Sequence, residues 1–130
     1  MLPLSAEWVL KAEGDFATAQ RELRARISPN LDAACFHAQQ CAEKYLKARL
    51  MEAGISCGRT HSLTALLDAV ISVEPLWESC RGDLAILSAY AVEYRYPGES
   101  ADRDQAREAL KLCRSFRSQA RVSLGLSGTS

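Results

Sequence analysis

The chain has 130 residues, 48% of them hydrophobic and 25% charged, with 16 basic side chains set against 16 acidic ones. This is the size and composition of one globular domain, and the neutral balance excludes a protein whose whole surface grips nucleic acid, leaving room only for a local basic patch. No apolar run approaches the roughly 20 residues needed to span a bilayer, and the opening Met1-Leu2-Pro3-Leu4-Ser5-Ala6-Glu7 lacks the basic start of a signal peptide, so a cytoplasmic protein without membrane attachment is expected.

Apolar residues recur at helical spacing almost throughout, and strand signals are absent. The first helix is expected over about residues 5–25, with Trp8, Ala12, Phe16, Ala19 and Leu23 on one face. Ser28-Pro29-Asn30 breaks it and caps a second helix over about 31–53, which Gly54 ends as a left-handed cap. Ser62 is the expected N-cap of a short third helix, about 62–73, carrying Leu63, Leu66, Leu67 and Val70. Pro75 opens a fourth helix over about 76–95 with Trp77, Cys80, Leu84, Leu87 and Ala91 inward, and Pro97-Gly98 terminates it. Ser100 is expected to cap a fifth, about 101–122, whose Asp102 and Asp104 stand early and whose Arg114, Arg117 and Arg121 stand late, as the helix dipole favours. The fold class is therefore all-α: a five-helix up-and-down bundle, four long helices and one short, over about 1–122, with 123–130 as a disordered tail.

The second helix holds the most informative stretch, Phe36-His37-Ala38-Gln39-Gln40-Cys41-Ala42-Glu43-Lys44-Tyr45-Leu46-Lys47-Ala48. Around Ala38, a stripe of Leu31, Ala34, Cys35, Cys41, Ala42 and Tyr45 suits close burial. His37, Gln40, Lys44, Lys47 and Met51 form an adjoining strip, one turn above another, able to meet an anion or simply to edge the core in solvent. Arg95 projects onto the apolar stripe of the fourth helix at its end, where it needs an anion, exposed carbonyls or a carboxylate such as Asp15 or Glu43. Tyr94 and Tyr96 flank it and can stack on a base or on a neighbouring helix. His61, just before the third helix, can bind an anion when protonated or cap the turn. The five cysteines lack metal-ligand spacing and read as small reduced hydrophobes, Cys57 alone being expected at the surface, so no metal or cofactor is expected. No HExxH, glycine-rich phosphate loop, GxSxG or paired-carboxylate pattern is present.

In order and spacing these pieces resemble the HEPN family (higher eukaryotes and prokaryotes nucleotide-binding domain), specifically a small stand-alone prokaryotic-type member. The residues that carry the resemblance are the Phe36–Ala48 stretch, His61-Ser62-Leu63 with Leu66-Leu67, Tyr94-Arg95-Tyr96-Pro97-Gly98, and Asp15-Phe16 with Ala19. The resemblance implies a helical bundle that dimerises, often beside a small nucleotidyltransferase encoded nearby, with nucleotide binding in some members and ribonuclease activity in toxin and defence proteins. The ribonucleases depend on an arginine followed, after four to six residues, by a histidine. Here Ser100, Ala101 and Asp102 occupy those places after Arg95, so no enzyme is expected. The expectation is a dimeric, non-catalytic module that binds nucleotide or phosphate through Lys44, Lys47, His61, Arg95, His37 and Tyr94, or partners a nucleotidyltransferase in a toxin–antitoxin or defence system. The alternative is a HEPN ribonuclease toxin that has lost the usual motif.

Overall fold

A computed structural model describes residues 1–94 and 96–127. Its elements in chain order are α1 (Pro3–Arg24), α2 (Leu31–Glu52), α3 (Leu63–Val70), a 3-10 segment (Pro75–Cys80), α4 (Arg81–Glu93) and α5 (Arg103–Ser123). There is no strand among the described residues, and no helix is long and apolar enough to cross a membrane.

Local chemistry sets most of these boundaries. α1 starts on Pro3, whose fixed φ and missing N–H suit a first helical position. The Asn30 side chain accepts from Ala33 N–H and starts α2, and Ser62 does the same for α3 through Ala65 N–H. Gly54, at φ +70°, takes the left-handed conformation beyond the end of α2. Two expectations are corrected. Pro75 opens a 3-10 segment, and α4 begins only at Arg81. In that tighter winding residues three apart eclipse, which turns Trp77 and Cys80 to the same buried side. The cap of α5 is Asp102 instead of Ser100: Asp102 accepts from Gln105 N–H while the Gln105 side chain accepts from Asp102 N–H, a reciprocal pair that Ser100 lacks.

Hydrogen bonds at the helix ends fix the relative directions of α1, α2 and α5. Leu2 N–H donates to Glu52, joining the start of α1 to the end of α2. Arg103 donates to the Leu23 carbonyl and Ala101 N–H to Asp32, so the end of α1 and the starts of α2 and α5 share the other end. The result is the expected up-and-down bundle.

Its interior is built at two scales. Ala12, Ala19, Ala34, Ala38, Cys41, Ala106, Ala109 and Cys113 are small and fully buried, which lets α1, α2 and α5 approach closely. Phe16, Tyr45, Leu46, Leu50, Leu66, Leu67, Leu84, Leu87 and Phe116 fill the wider spaces, each large side chain contributing about 1.5–3 kcal/mol of burial. Trp77 meets Phe116 edge-on, with centroids 5.1 Å apart. Cys35, Cys41, Cys80 and Cys113 are buried free thiols and Cys57 is half-buried; burial, helped by Asp32 and Asp102, pushes the Cys35 thiol up to about 11. Leu124 and Leu126 lie partly buried against the core after α5.

Candidate functional site

The polar strip of α2 meets two carboxylates. Asp15 on α1, a buried residue, binds His37 Nδ1 at 2.7 Å and Lys44 Nζ at 2.5 Å. Glu43 on α2, 3% exposed, binds Lys47 Nζ at 3.0 Å and His61 Nδ1 at 3.1 Å, and accepts from Gln39 Nε2 at 3.3 Å. Gln40 in turn donates to Gln39. Each lysine thus neutralises a carboxylate, and Lys47 is nearly as buried as its partner. The two acids that the sequence offers as partners of Arg95 are engaged here by other cations; Arg95 itself lies outside the described residues.

The histidines are set up alike. A carboxylate only accepts, so Nδ1 of each ring carries a proton, and Nε2 is left uncommitted, an acceptor in a neutral ring and a donor in a protonated one. They differ in exposure: the His61 side chain is 78% exposed and that of His37 30%. Beside His61 lies a groove of about 540 Å³ between α2 and α4, lined by Phe36, Gln39, Gln40, Glu43, Ser88 and Val92 among others. Phe36 also meets the His37 ring edge-on at 5.3 Å. The Ser88 hydroxyl is buried in the wall of this groove with no partner among the described residues. Amides, a hydroxyl, an oriented imidazole and an aromatic edge therefore converge on one space.

Tyr94 is placed differently. It is buried, stacks on Tyr90 at 6.0 Å, and its hydroxyl has no partner among the described residues. Burial pushes its phenol up to about 12. Of the six sequence-chosen residues, His37 and Lys44 therefore gather on Asp15, Lys47 and His61 gather on Glu43, and Tyr94 stands apart in the core.

A third cluster was not singled out in the sequence. Glu13 on α1 accepts from Arg117 through both oxygens, at 2.7 and 2.6 Å, and from the Tyr45 hydroxyl at 2.5 Å. Arg121 donates to the Tyr45 oxygen at 3.1 Å, and Arg117 lies over the Phe16 ring at 4.3 Å. Burial alone would raise the Glu13 carboxyl, yet the hydrogen bonds from Arg117 and Tyr45 with the charges of Arg117 and Arg121 hold it below the ordinary value. Helix-dipole reasoning assigned these arginines to the end of α5; the available signal was Tyr45, a phenol on an otherwise buried stripe that needs a polar partner.

A family model, the HEPN domain, matches residues 5–122. The chain belongs to the HEPN domain family. The matched span reaches from the first turn of α1 to the last turn of α5 and includes all three carboxylate clusters. No curated protein and no solved structure matches the chain. HEPN membership supports a nucleotide-related or ribonuclease-type module. Among the described residues, no group of three or more His, Cys, Asp or Glu side chains is placed to hold a metal ion.

Proposed function

We propose that this HEPN domain is a non-catalytic nucleotide-binding module whose ligand occupies the groove between α2 and α4. The observation that carries the reading is the exposed His61 ring, held by buried Glu43 at the rim of a groove whose volume lies within the roughly 300–1,000 Å³ range of small-molecule sites. The Phe36 ring offers a wall for the base, and the Gln39 and Gln40 amides offer both donor and acceptor to its edge. His61, donating from Nε2 when its ring is protonated, and Arg95 take the phosphate. Lys44 and Lys47 serve indirectly: by neutralising Asp15 and Glu43 they remove the repulsion that two buried carboxylates would exert on an anion. His37 borders the Phe36 wall and Tyr94 supports the end of α4.

A thermal-shift titration with ATP, GTP, UTP, AMP and short RNA tests this. A ligand at a hundred times its Kd adds about 2.7 kcal/mol of stability, and His61→Ala and Arg95→Ala are each expected to abolish the shift. Equal melting temperatures with and without millimolar nucleotide overturn the reading.

A second reading, as a dimer and partner module, is favoured by α4. Leu84, Leu87 and Ala91 are buried, while the opposite face presents Ala85, Ile86, Ala89 and Val92 to solvent. A helix apolar on both sides is suited to a further layer of protein. A second copy on this face lies next to the groove, which Val92 also lines. Sedimentation of the wild type as a dimer and of Ile86→Glu as a monomer is the expected result. Partnership with a nucleotidyltransferase in a toxin–antitoxin pair predicts co-purification with the product of a neighbouring open reading frame. Ribonuclease activity is disfavoured: the chain's two histidines both hold carboxylates, and neither follows Arg95 at the ribonuclease spacing. RNA cleavage that disappears on Arg95→Ala reverses that reading.

A further inference from the structure

A second cavity, of about 560 Å³, opens between the start of α1 and the loop joining α2 to α3. Its lining includes Trp8, Lys47, Met51, Ile55, Cys57 and Arg59, and a smaller recess of about 200 Å³ shares its Trp8 and Met51 wall. The indole is partly exposed. Lys47 Nζ sits 5.4 Å from its ring centroid while holding Glu43 at 3.0 Å. An ammonium can donate three times, and Lys47 spends one of these on Glu43. Arg59 is exposed and enters no hydrogen bond or ion pair within the described residues.

We propose that this cavity binds a compact aromatic acid, a planar ring carrying a carboxylate or a phosphate. Glu43 cancels the charge of Lys47, so the net positive charge comes from Arg59, whose planar fork suits either oxyanion in bidentate contact. The unspent donors of Lys47 add direction. Trp8 supplies a flat wall against which a second ring stacks, and Met51 and Ile55 supply apolar surface beneath it. A bare anion forfeits the indole and the apolar floor, and a neutral ring forfeits Arg59; only a molecule with both parts uses the whole site. No residue lines both this cavity and the α2–α4 groove; the two are linked through Glu43, which holds Lys47 on one side and His61 on the other.

The indole N–H resonances of the intact protein test this by NMR, with Trp77, 2% exposed in the core, as the internal control. Phenyl phosphate, benzoate, inorganic phosphate and phenol are the probes. Saturable movement of the Trp8 signal with phenyl phosphate or benzoate, Trp77 staying still, is the expected result. Whichever of these two acids binds tighter identifies the oxyanion. Inorganic phosphate and phenol are expected to bind at least tenfold more weakly. Arg59→Gln, in an exposed loop, is expected to weaken the acid about tenfold, and His61→Ala to leave it unchanged, so this site and the nucleotide groove fail separately. A Trp8 signal indifferent to both acids, an undiminished response in Arg59→Gln, or inorganic phosphate binding as tightly as phenyl phosphate each overturns the proposal.

Discussion

Glu13 and Asp15 stand two residues apart on α1, about 200° around the helix, and their surroundings use the same charges to opposite effect. Glu13 meets Arg117, Tyr45 and Arg121. The guanidinium fork fits both carboxylate oxygens, and the phenol donates to one neighbour while accepting from another, so the hydrogen-bonding capacity of the cluster is turned inward. Asp15 on α1 and Glu43 on α2 instead meet one lysine and one histidine each. Those partners neutralise the acid and keep unused donors or a free ring nitrogen. A closed cluster fastens helices together; an open one leaves chemistry available to a ligand.

The largest effect is expected at the closed cluster. Arg117 is 3% exposed, and Glu13→Ala removes the carboxylate that its guanidinium grips through both oxygens beside the Phe16 ring. Removing one partner of this pair, whose Glu13 side chain is 31% exposed, costs on the order of 2 kcal/mol, a substantial share of the roughly 5–15 kcal/mol that holds a domain folded. Urea unfolding measures it. A loss under about 1 kcal/mol means that the cluster does not clamp α1 to α5, and the comparison breaks.

Acid sharpens the same contrast. Because Glu13 is held below the ordinary carboxylate value in the folded chain, the unfolded chain takes up this proton more readily. The stabilisation is fully present above the unfolded value of about 4.3 and is lost as the pH falls through the lower folded value. Urea midpoints between pH 7 and pH 3 are expected to fall less steeply for Glu13→Gln than for the wild type. Identical slopes mean that other carboxylates govern acid unfolding.

How much of this was legible follows from how local each signal is. The caps at Asn30 and Ser62 and the left-handed Gly54 were readable because a cap is decided within three or four residues. Asp102 was missed although its partner Gln105 stands three residues on; Ser100, just after Pro97-Gly98, offered a competing cap. Helical phase put Lys44, Lys47 and His37 on one strip and Tyr45 on the buried side. Phase says nothing about the axial offset between two helices, and that offset is what sets Lys44 against Asp15 and Arg117 against Glu13. His61 meets Glu43 only because the α2–α3 loop folds back, a path without periodicity to read.

Tyr94 tests the boundary between core and site. Its hydroxyl is buried without a partner among the described residues, so Tyr94→Phe removes an unsatisfied group and keeps the ring that stacks on Tyr90. The variant is expected to be more stable by up to about 1 kcal/mol, read as a rise in urea midpoint at unchanged slope. A loss of stability reveals a partner for the hydroxyl and gives Tyr94 more than a packing role.

The smallest effect on stability is expected at the residue on which the nucleotide reading depends most. His61 is mostly exposed, and Glu43 keeps Lys47 and Gln39 when the ring is removed. His61→Ala is therefore expected to change unfolding by less than about 0.5 kcal/mol, a small fraction of the Glu13→Ala loss, while abolishing the nucleotide-induced shift. Such a separation of folding from binding is the signature of an open cluster. If His61→Ala instead costs as much as Glu13→Ala, the ring is a strut tying the start of α3 to α2. The Glu43 cluster then closes on itself as the Glu13 cluster does, and the groove beside it loses the group that recommends it.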